Sequence, residues 1–209
     1  MPGMIADHYL QRIDALLASG SRRLLGLVGA PGAGKSTLAQ QLKDHFGDRV
    51  VVVPMDGYHL AHNELVRLGR LSRKGAHDTF DSAGYVALLR RLRDNVPGET
   101  VYGPEFDRNL EQPVAGAIPV DSTVPLVITE GNYLLLEQGP WAHVKGLLDE
   151  AWYVEVDDAL RQSRLVERHV RFGRAEQDAR DWVLHTDEPN ARLIEATALR
   201  ADLRFRWTD

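Results

Sequence analysis

An α/β fold built around a mostly parallel sheet is the architecture the sequence predicts, and three observations predict it. Short, mostly apolar runs at residues 24–28, 50–53, 126–129 and 152–156 have the length and composition of strands buried on both faces. Segments with apolar residues at helical spacing alternate with those runs, as crossover connections of a parallel sheet require. The chain has 209 residues, the size of one domain, and no Ser/Gly linker, repeat or low-complexity tract divides it.

Each element follows from local pattern. Ile5, Tyr9, Ile13, Leu16 and Leu17 recur at helical spacing and predict an amphipathic helix ending near Gly20. The strand at 24–28 comes next, and Leu38 and Leu42 on a polar background predict the helix after it. Pro54 closes the second strand. Helices are predicted at 60–69 and 82–94, the second opened by an Asp81-Ser82 cap ahead of Tyr85, Leu88, Leu89 and Leu92. Residues 100–102 suit an edge strand, whereas 103–124, rich in Pro and Gly and without a period, read as a long functional loop. Beyond the strands at 126–129 and 152–156, helices are expected at 158–172, 175–184 and 189–199, with a last strand at 203–207.

Composition narrows the function. There is no cysteine, so disulfides, thiolate metal sites and cysteine nucleophiles are excluded. Lys and Arg total 25 against 30 Asp and Glu, a net charge of −5, which argues against non-specific binding to nucleic acid or anionic membranes. No apolar run approaches the roughly 18 residues of a membrane span, and the first ten residues lack the basic-then-apolar plan of a signal peptide. A cytoplasmic address is the expectation.

Gly29, Ala30, Pro31, Gly32, Ala33, Gly34, Lys35 and Ser36 fit G-x-x-x-x-G-K-[ST] at every fixed position, and Thr37 follows. At ordinary residue usage such a match arises by chance at about one start position in 30,000, and this one also follows a buried strand and opens a helix. That context is what a phosphate-binding loop needs: glycines turn backbone N–H groups inward, and the helix N-terminus adds its positive dipole end. Lys35 is expected to reach the β- and γ-phosphates of a nucleotide, and the Ser36 hydroxyl to sit on Mg²⁺.

Two carboxylates stand where open α/β sheets hold their ligands, Asp56 after the second strand and Glu130 at the end of the third. One would orient the metal and the other accept a proton from an attacking hydroxyl; a helix cap or turn residue is the alternative role for either. Arg161, Arg164, Arg168 and Arg171 step by three, four and three along one helical face, with Arg174 just past Gly173. A solvated face is the plain explanation. Six arginines and no lysine in residues 161–180 of an acidic chain fit bidentate phosphate recognition better, and Gly173 suggests a closing lid.

Together with the phosphate loop, Asp56-Gly57-Tyr58, Arg73-Lys74-Gly75, Thr79-Phe80-Asp81, Val101-Tyr102, Asp107-Arg108 and Glu130-Gly131 resemble the uridine kinase, bacterial pantothenate kinase and phosphoribulokinase group, over about residues 22–195. The chain also looks like small bacterial proteins labelled fructose transport system kinases. The resemblance implies a P-loop NTPase-type three-layer sandwich with a doubly wound sheet, and ATP and Mg²⁺ as cofactors. It makes Asp56 the base, gives Glu130 a part in holding Mg²⁺, and makes 168–174 a lid one residue shorter than the uridine kinase form. It puts the acceptor against segments 57–80 and 102–120, where Tyr58, His59, Arg73, His77, Tyr102, Asp107 and Arg108 could hydrogen-bond it. The family's Tyr-Asp-Phe acceptor signature departs here to Tyr102-Gly103-Pro104-Glu105-Phe106-Asp107, so the resemblance leaves a nucleoside, a sugar and a pantothenate-like metabolite all open.

The resulting expectation is ATP-dependent phosphoryl transfer to a hydroxyl of a small metabolite, with Lys35, Arg168 and Arg174 stabilising the transferring group. A P-loop ATPase or nucleotide-binding regulator without an acceptor is the alternative. A regulatory GTPase lacks support, because no guanine-reading N-K-x-D occurs. A nucleoside monophosphate acceptor would call for an arginine pair such as Arg73 and Arg108. His59 and His62 read as surface histidines rather than half of a metal site, and Trp141, Trp152, Trp182 and Trp207 as core or rim aromatics. Asp187-Glu188-Pro189-Asn190 reads first as a helix start with Pro near its first turn, and second as a segment that contacts an adenine ring.

Overall fold

In the computed structural model, which describes residues 3–208, the chain opens with α1 (Asp7–Leu17), whose Tyr9 and Ile13 are buried. Strand β1 (Arg23–Val28) leads through the glycine-rich loop into α2 (Lys35–Phe46). β2 (Val50–Val52) ends in a tight 3₁₀ turn, Met55–Tyr58. There follow α3 (His62–Arg67), α4 (Ser82–Asp94), β3 (Thr100–Asp107), β4 (Gln112–Asp121) and β5 (Leu126–Gly131). The chain then forms β6 (Glu150–Val154), α5 (Asp158–Arg171), α6 (Glu176–Trp182), α7 (Glu188–Glu195) and β7 (Leu203–Phe205).

Five strands form one parallel sheet in the order β2-β5-β1-β6-β7. β1 is central, with β5 on one side and β6 on the other, so the carboxyl end of β1 lies at the point where the winding reverses. Alternate residues of each strand feed two cores, as a period of two demands. Leu24, Val28 and Val127 face Tyr85, Leu89 and Leu92 of α4 and Ile194 of α7. Leu25, Leu27, Leu126 and Ile128 face Tyr9 and Ile13 of α1 and Leu38 and Leu42 of α2. Each such fully buried side chain contributes roughly 1.5–3 kcal/mol. The Asp81 cap stands as read, its carboxylate accepting from Gly84 N–H at 2.8 Å, and the structure adds a second cap at Asp157, which accepts from Leu160 N–H at 3.0 Å.

The expected long loop at 103–124 is a correction. Most of it is an antiparallel hairpin, β3 with β4, whose strands pair only with each other. Pro104 sits where the register shifts between Gly103 and Glu105, and Pro119 opposite Tyr102. A two-stranded ribbon has two free edges, so a missing proline N–H costs little there, and prolines that argue against a central strand do not argue against this one. Arg22 fastens the hairpin's base to the sheet, donating to the carbonyls of Val124 (2.9 Å), Leu92 (3.2 Å) and Asp121.

Smaller differences concern ends. The helix expected at 60–69 is confined to His62–Arg67, and that at 189–199 becomes α7 plus a short turn, Ala198–Arg200. The last strand stops at Phe205. Between α6 and α7 the backbone widens into a π-type turn, Val183–Asp187. Among the described residues no helix is long and apolar enough to cross a membrane.

Candidate active site

Gly32 and Gly34 take positive φ, +80° and +94°, which L side chains rarely adopt. Gly32 is doubly constrained, because a Cβ there would stand 2.9 Å from the carbonyl oxygen of Arg161. The loop thus wraps the start of α2, and Lys35 is folded back into it, its Nζ donating to the carbonyls of Gly29 (2.9 Å) and Ala30 (3.1 Å). Burial lowers the Lys35 pKa, opposed by the nearby charges of Glu130 and Asp56.

Glu130 is buried at the end of β5 and accepts a hydrogen bond from the Ser36 hydroxyl at 2.7 Å. Burial pushes its carboxyl group up, and the proximity of Asp56 pushes the same way. Asp56 lies in the turn after β2, and two contacts hold the segment leading into that turn against β5, one of them buttressed by Tyr85 of α4. Thr129 Oγ1 donates to Val53 O at 2.7 Å, so Tyr85 O–H must donate to Thr129 at 2.6 Å. Gly131 completes the contact, since a Cβ there would meet Met55 Cβ at 2.6 Å.

These groups open on one cleft of about 2130 Å³, lined by the loop, Asp56, Glu130, Asn132 and the α5 side chains Arg161, Arg164 and Arg168. Burial lowers the pKa of Arg168, while Asp187 favours its charged form. Arg174 also lines the cleft, its guanidinium stacked 4.0 Å from the Trp182 ring. Arg161 is fully buried and paired with Asp158 (3.1 Å) and Glu188, leaving Nη1 without a partner among the described residues. Arg171 does not line the cleft.

The sequence-derived acceptor residues separate. His59 and Arg108 line the cleft. His59 corrects the surface reading: it is half-buried, 4.0 Å from the Phe80 ring and 4.8 Å from Phe106, whereas His62 is exposed. Its Nδ1 lies 2.8 Å from Asp56 O, which can only accept, so the proton is on Nδ1. Tyr58 packs on Tyr85 at 5.5 Å, and Arg73 is exposed and paired with Asp78 at 2.6 Å. Tyr102 is 57% exposed, and Asp107 builds the hairpin turn by accepting from Asn109 and Leu110 N–H. The structure does not bring these four, or His77, to the cleft.

Sequence reasoning missed Lys74 and Asn132 as lining groups. Asp187 was read first as part of a helix start and second as part of an adenine contact; it lines the cleft, Pro189 does sit in the first turn of α7, and the Asp187 carboxylate meets His169 Nε2 at 2.9 Å instead of capping. Of the tryptophans, Trp141 and Trp152 are buried, while Trp207 approaches the phosphate loop, its Nε1 3.4 Å from where a Gly34 Cβ would stand.

The donor set fits Mg²⁺. Ser36 and Glu130 offer hard oxygens, and a buried carboxylate whose pKa is raised by burial and by nearby Asp56 calls for a cation. Among the described residues no three His, Cys, Asp or Glu side chains form a closed cage, in keeping with an ion held by one or two protein groups plus phosphates.

Comparison with known proteins bears on the family and the fold. A family described as P-loop Nucleotide Kinase3 matches residues 20–77. The chain is 32% identical over 208 residues to "Putative uridine kinase C227.14" of Schizosaccharomyces pombe, covering 94% of this chain and 88% of that protein. It is 30% identical over 182 residues to "Uridine kinase" of Halobacterium salinarum, covering 86% and 77%. A crystal structure of a "putative fructose transport system kinase" from Silicibacter sp. TM1040 superposes with TM-score 0.86 at 38% identity, covering 97% of this chain and 100% of that one. With its phosphate loop at the centre of a five-stranded parallel sheet, the chain belongs to the uridine kinase-like family of P-loop kinases.

Proposed function

We propose that the protein transfers the γ-phosphoryl group of ATP to a hydroxyl of a small metabolite. The observation that carries the reading is convergence: Lys35, Ser36, Asp56, Glu130 and Arg168 come from four separate segments and line one cleft, which continues past Asp56 to His59, Phe106 and Arg108. A nucleotide-binding module without an acceptor has no use for that continuation.

In this mechanism the loop N–H groups and Lys35 grip the β- and γ-phosphates, Lys35 exchanging its carbonyl partners for phosphate oxygens. Ser36 and Glu130 would hold Mg²⁺, which when bound neutralises charge on the phosphates. Asp56 takes the proton as the acceptor oxygen attacks phosphorus, the bond to the ADP oxygen breaks, and the products are ADP and a phosphate ester. Arg168 and Arg174 would stabilise charge on the transferring oxygens, and the segment around Gly173 would exclude water. The experiment is ATP consumption with and without pooled nucleosides, sugars and hydroxy acids. Turnover should depend on an acceptor pool and vanish in Lys35→Ala; acceptor-independent hydrolysis at the same rate would overturn the reading.

A further inference from the structure

Resting on the kinase reading, we infer that the acceptor is an anion: a small hydroxyl compound bearing a carboxylate or phosphate group that Lys74 and Arg108 bind.

The part of the cleft beyond Asp56 is built by two segments, the stretch after β2 and the β3–β4 turn. Its apolar wall is Phe80 and Phe106 with His59 between them. Lys74 reaches over this wall, its Nζ 5.2 Å from the Phe106 ring. That ammonium donates to Glu111 O at 3.0 Å, and its only ion-pair partner among the described residues is the Glu111 carboxylate at 3.8 Å, a side chain 74% exposed. Arg108, from the hairpin turn, has no ion pair or hydrogen bond among the described residues. It is near enough to weaken the charged forms of both His59 and Arg168 and to favour the charged form of Glu130.

Two cations therefore share this pocket with a histidine that burial keeps neutral and with Glu111, a largely solvated carboxylate, while the carboxylates deeper in the cleft, Asp56 and Glu130, are the ones the proposed mechanism assigns to the acceptor proton and the metal. A neutral sugar or nucleoside supplies nothing to offset them. An anionic substituent does, by charge-assisted hydrogen bonds, while the apolar wall takes the acceptor's carbon skeleton. Arg168 and Lys35 already serve the nucleotide phosphates in the proposed mechanism, so the unpaired positive charge at Arg108 is surplus to that task.

The test separates this site from the phosphate loop by filling the loop first. Wild type, Lys74→Gln and Arg108→Gln are saturated with AMP-PNP and Mg²⁺, then titrated calorimetrically with inorganic phosphate and, separately, with acetate. Wild type should bind one of the two anions, the preferred one distinguishing a phosphate from a carboxylate acceptor. Each variant should weaken that binding about 10–100-fold, the scale of a charge-assisted contact, with AMP-PNP affinity reporting an intact fold. Absence of anion binding to the saturated wild type, or unchanged binding in both variants, overturns the inference.

Transfer from ATP is then measured on matched pairs: glycerate with glycerol, pantothenate with pantothenyl alcohol, hexose phosphates with free hexoses, and uridine as a neutral nucleoside. The anionic member should have the higher kcat/KM, and Arg108→Gln should raise its KM more than it lowers kcat. A neutral acceptor turned over as well as any anion overturns the inference. Anion binding that responds to the variants while no pair member is phosphorylated counts against the kinase reading and leaves the anion site standing.

Discussion

Asp56 and Glu130 show how much two carboxylates of similar sequence context can differ. Asp56→Asn keeps size but cannot take a proton, so kcat should fall about 10²–10⁴-fold with ATP affinity near wild type. Glu130→Gln, which removes the acceptor of the Ser36 hydrogen bond, should instead raise the Mg²⁺ requirement, a defect that excess Mg²⁺ partly relieves. Steady-state kinetics across a Mg²⁺ titration separates them, and an identical response would assign both to the metal. Both positions were legible because a strand's direction fixes where its last residue points. His59 was not legible, since its burial comes from Phe80 and Phe106, 21 and 47 residues away. Burial lowers its pKa below the unfolded value of about 6.5. As pH falls below that value the unfolded chain takes up a proton that the folded chain refuses, so stability present above it is lost on acidification. His59→Gln should flatten the urea-midpoint profile between about pH 7 and 5; an unchanged profile would assign the slope to other groups.

At the level of elements, helical and buried-strand periods identified the sheet and its helices, while the hairpin escaped. Val101, Gly103 and Val120 face inward, but prolines and exposed residues interrupt the alternation that would have marked β3 and β4. The arginine face of α5 was also read only in part, because spacing cannot tell Arg161, fully buried and ion-paired with Asp158 and Glu188, from Arg168, which has no ion pair among the described residues, although both line the cleft. Arg168→Ala should therefore lower kcat more than it raises KM for ATP, by up to about 10³-fold. Arg168→Lys should rescue poorly, since a point charge lacks the guanidinium fork. Wild-type kcat in Arg168→Ala would make this helix face a structural one.

Across the whole molecule, the turn after β2 and the hairpin meet in a very close approach: a Cβ on Gly57 would lie 2.3 Å from Pro104 O. Neither backbone can yield without moving Asp56 or the strand that carries Arg108. Gly57→Ala should cost about 1–3 kcal/mol in urea unfolding and depress kcat/KM for the acceptor while ATP binding persists; full retention of both would show the contact to be soft. That approach also couples two regions that inherit change differently. Because β3 and β4 exchange ladder bonds only with each other among the described residues, substitutions at the ribbon's exposed positions and turn leave the parallel strands alone, provided Val101, Gly103 and Val120 keep their inward packing. A gene duplicate could thus acquire a new acceptor by drift in some twenty codons, keeping its nucleotide grip, and a hairpin graft between paralogues is the corresponding route for an engineer.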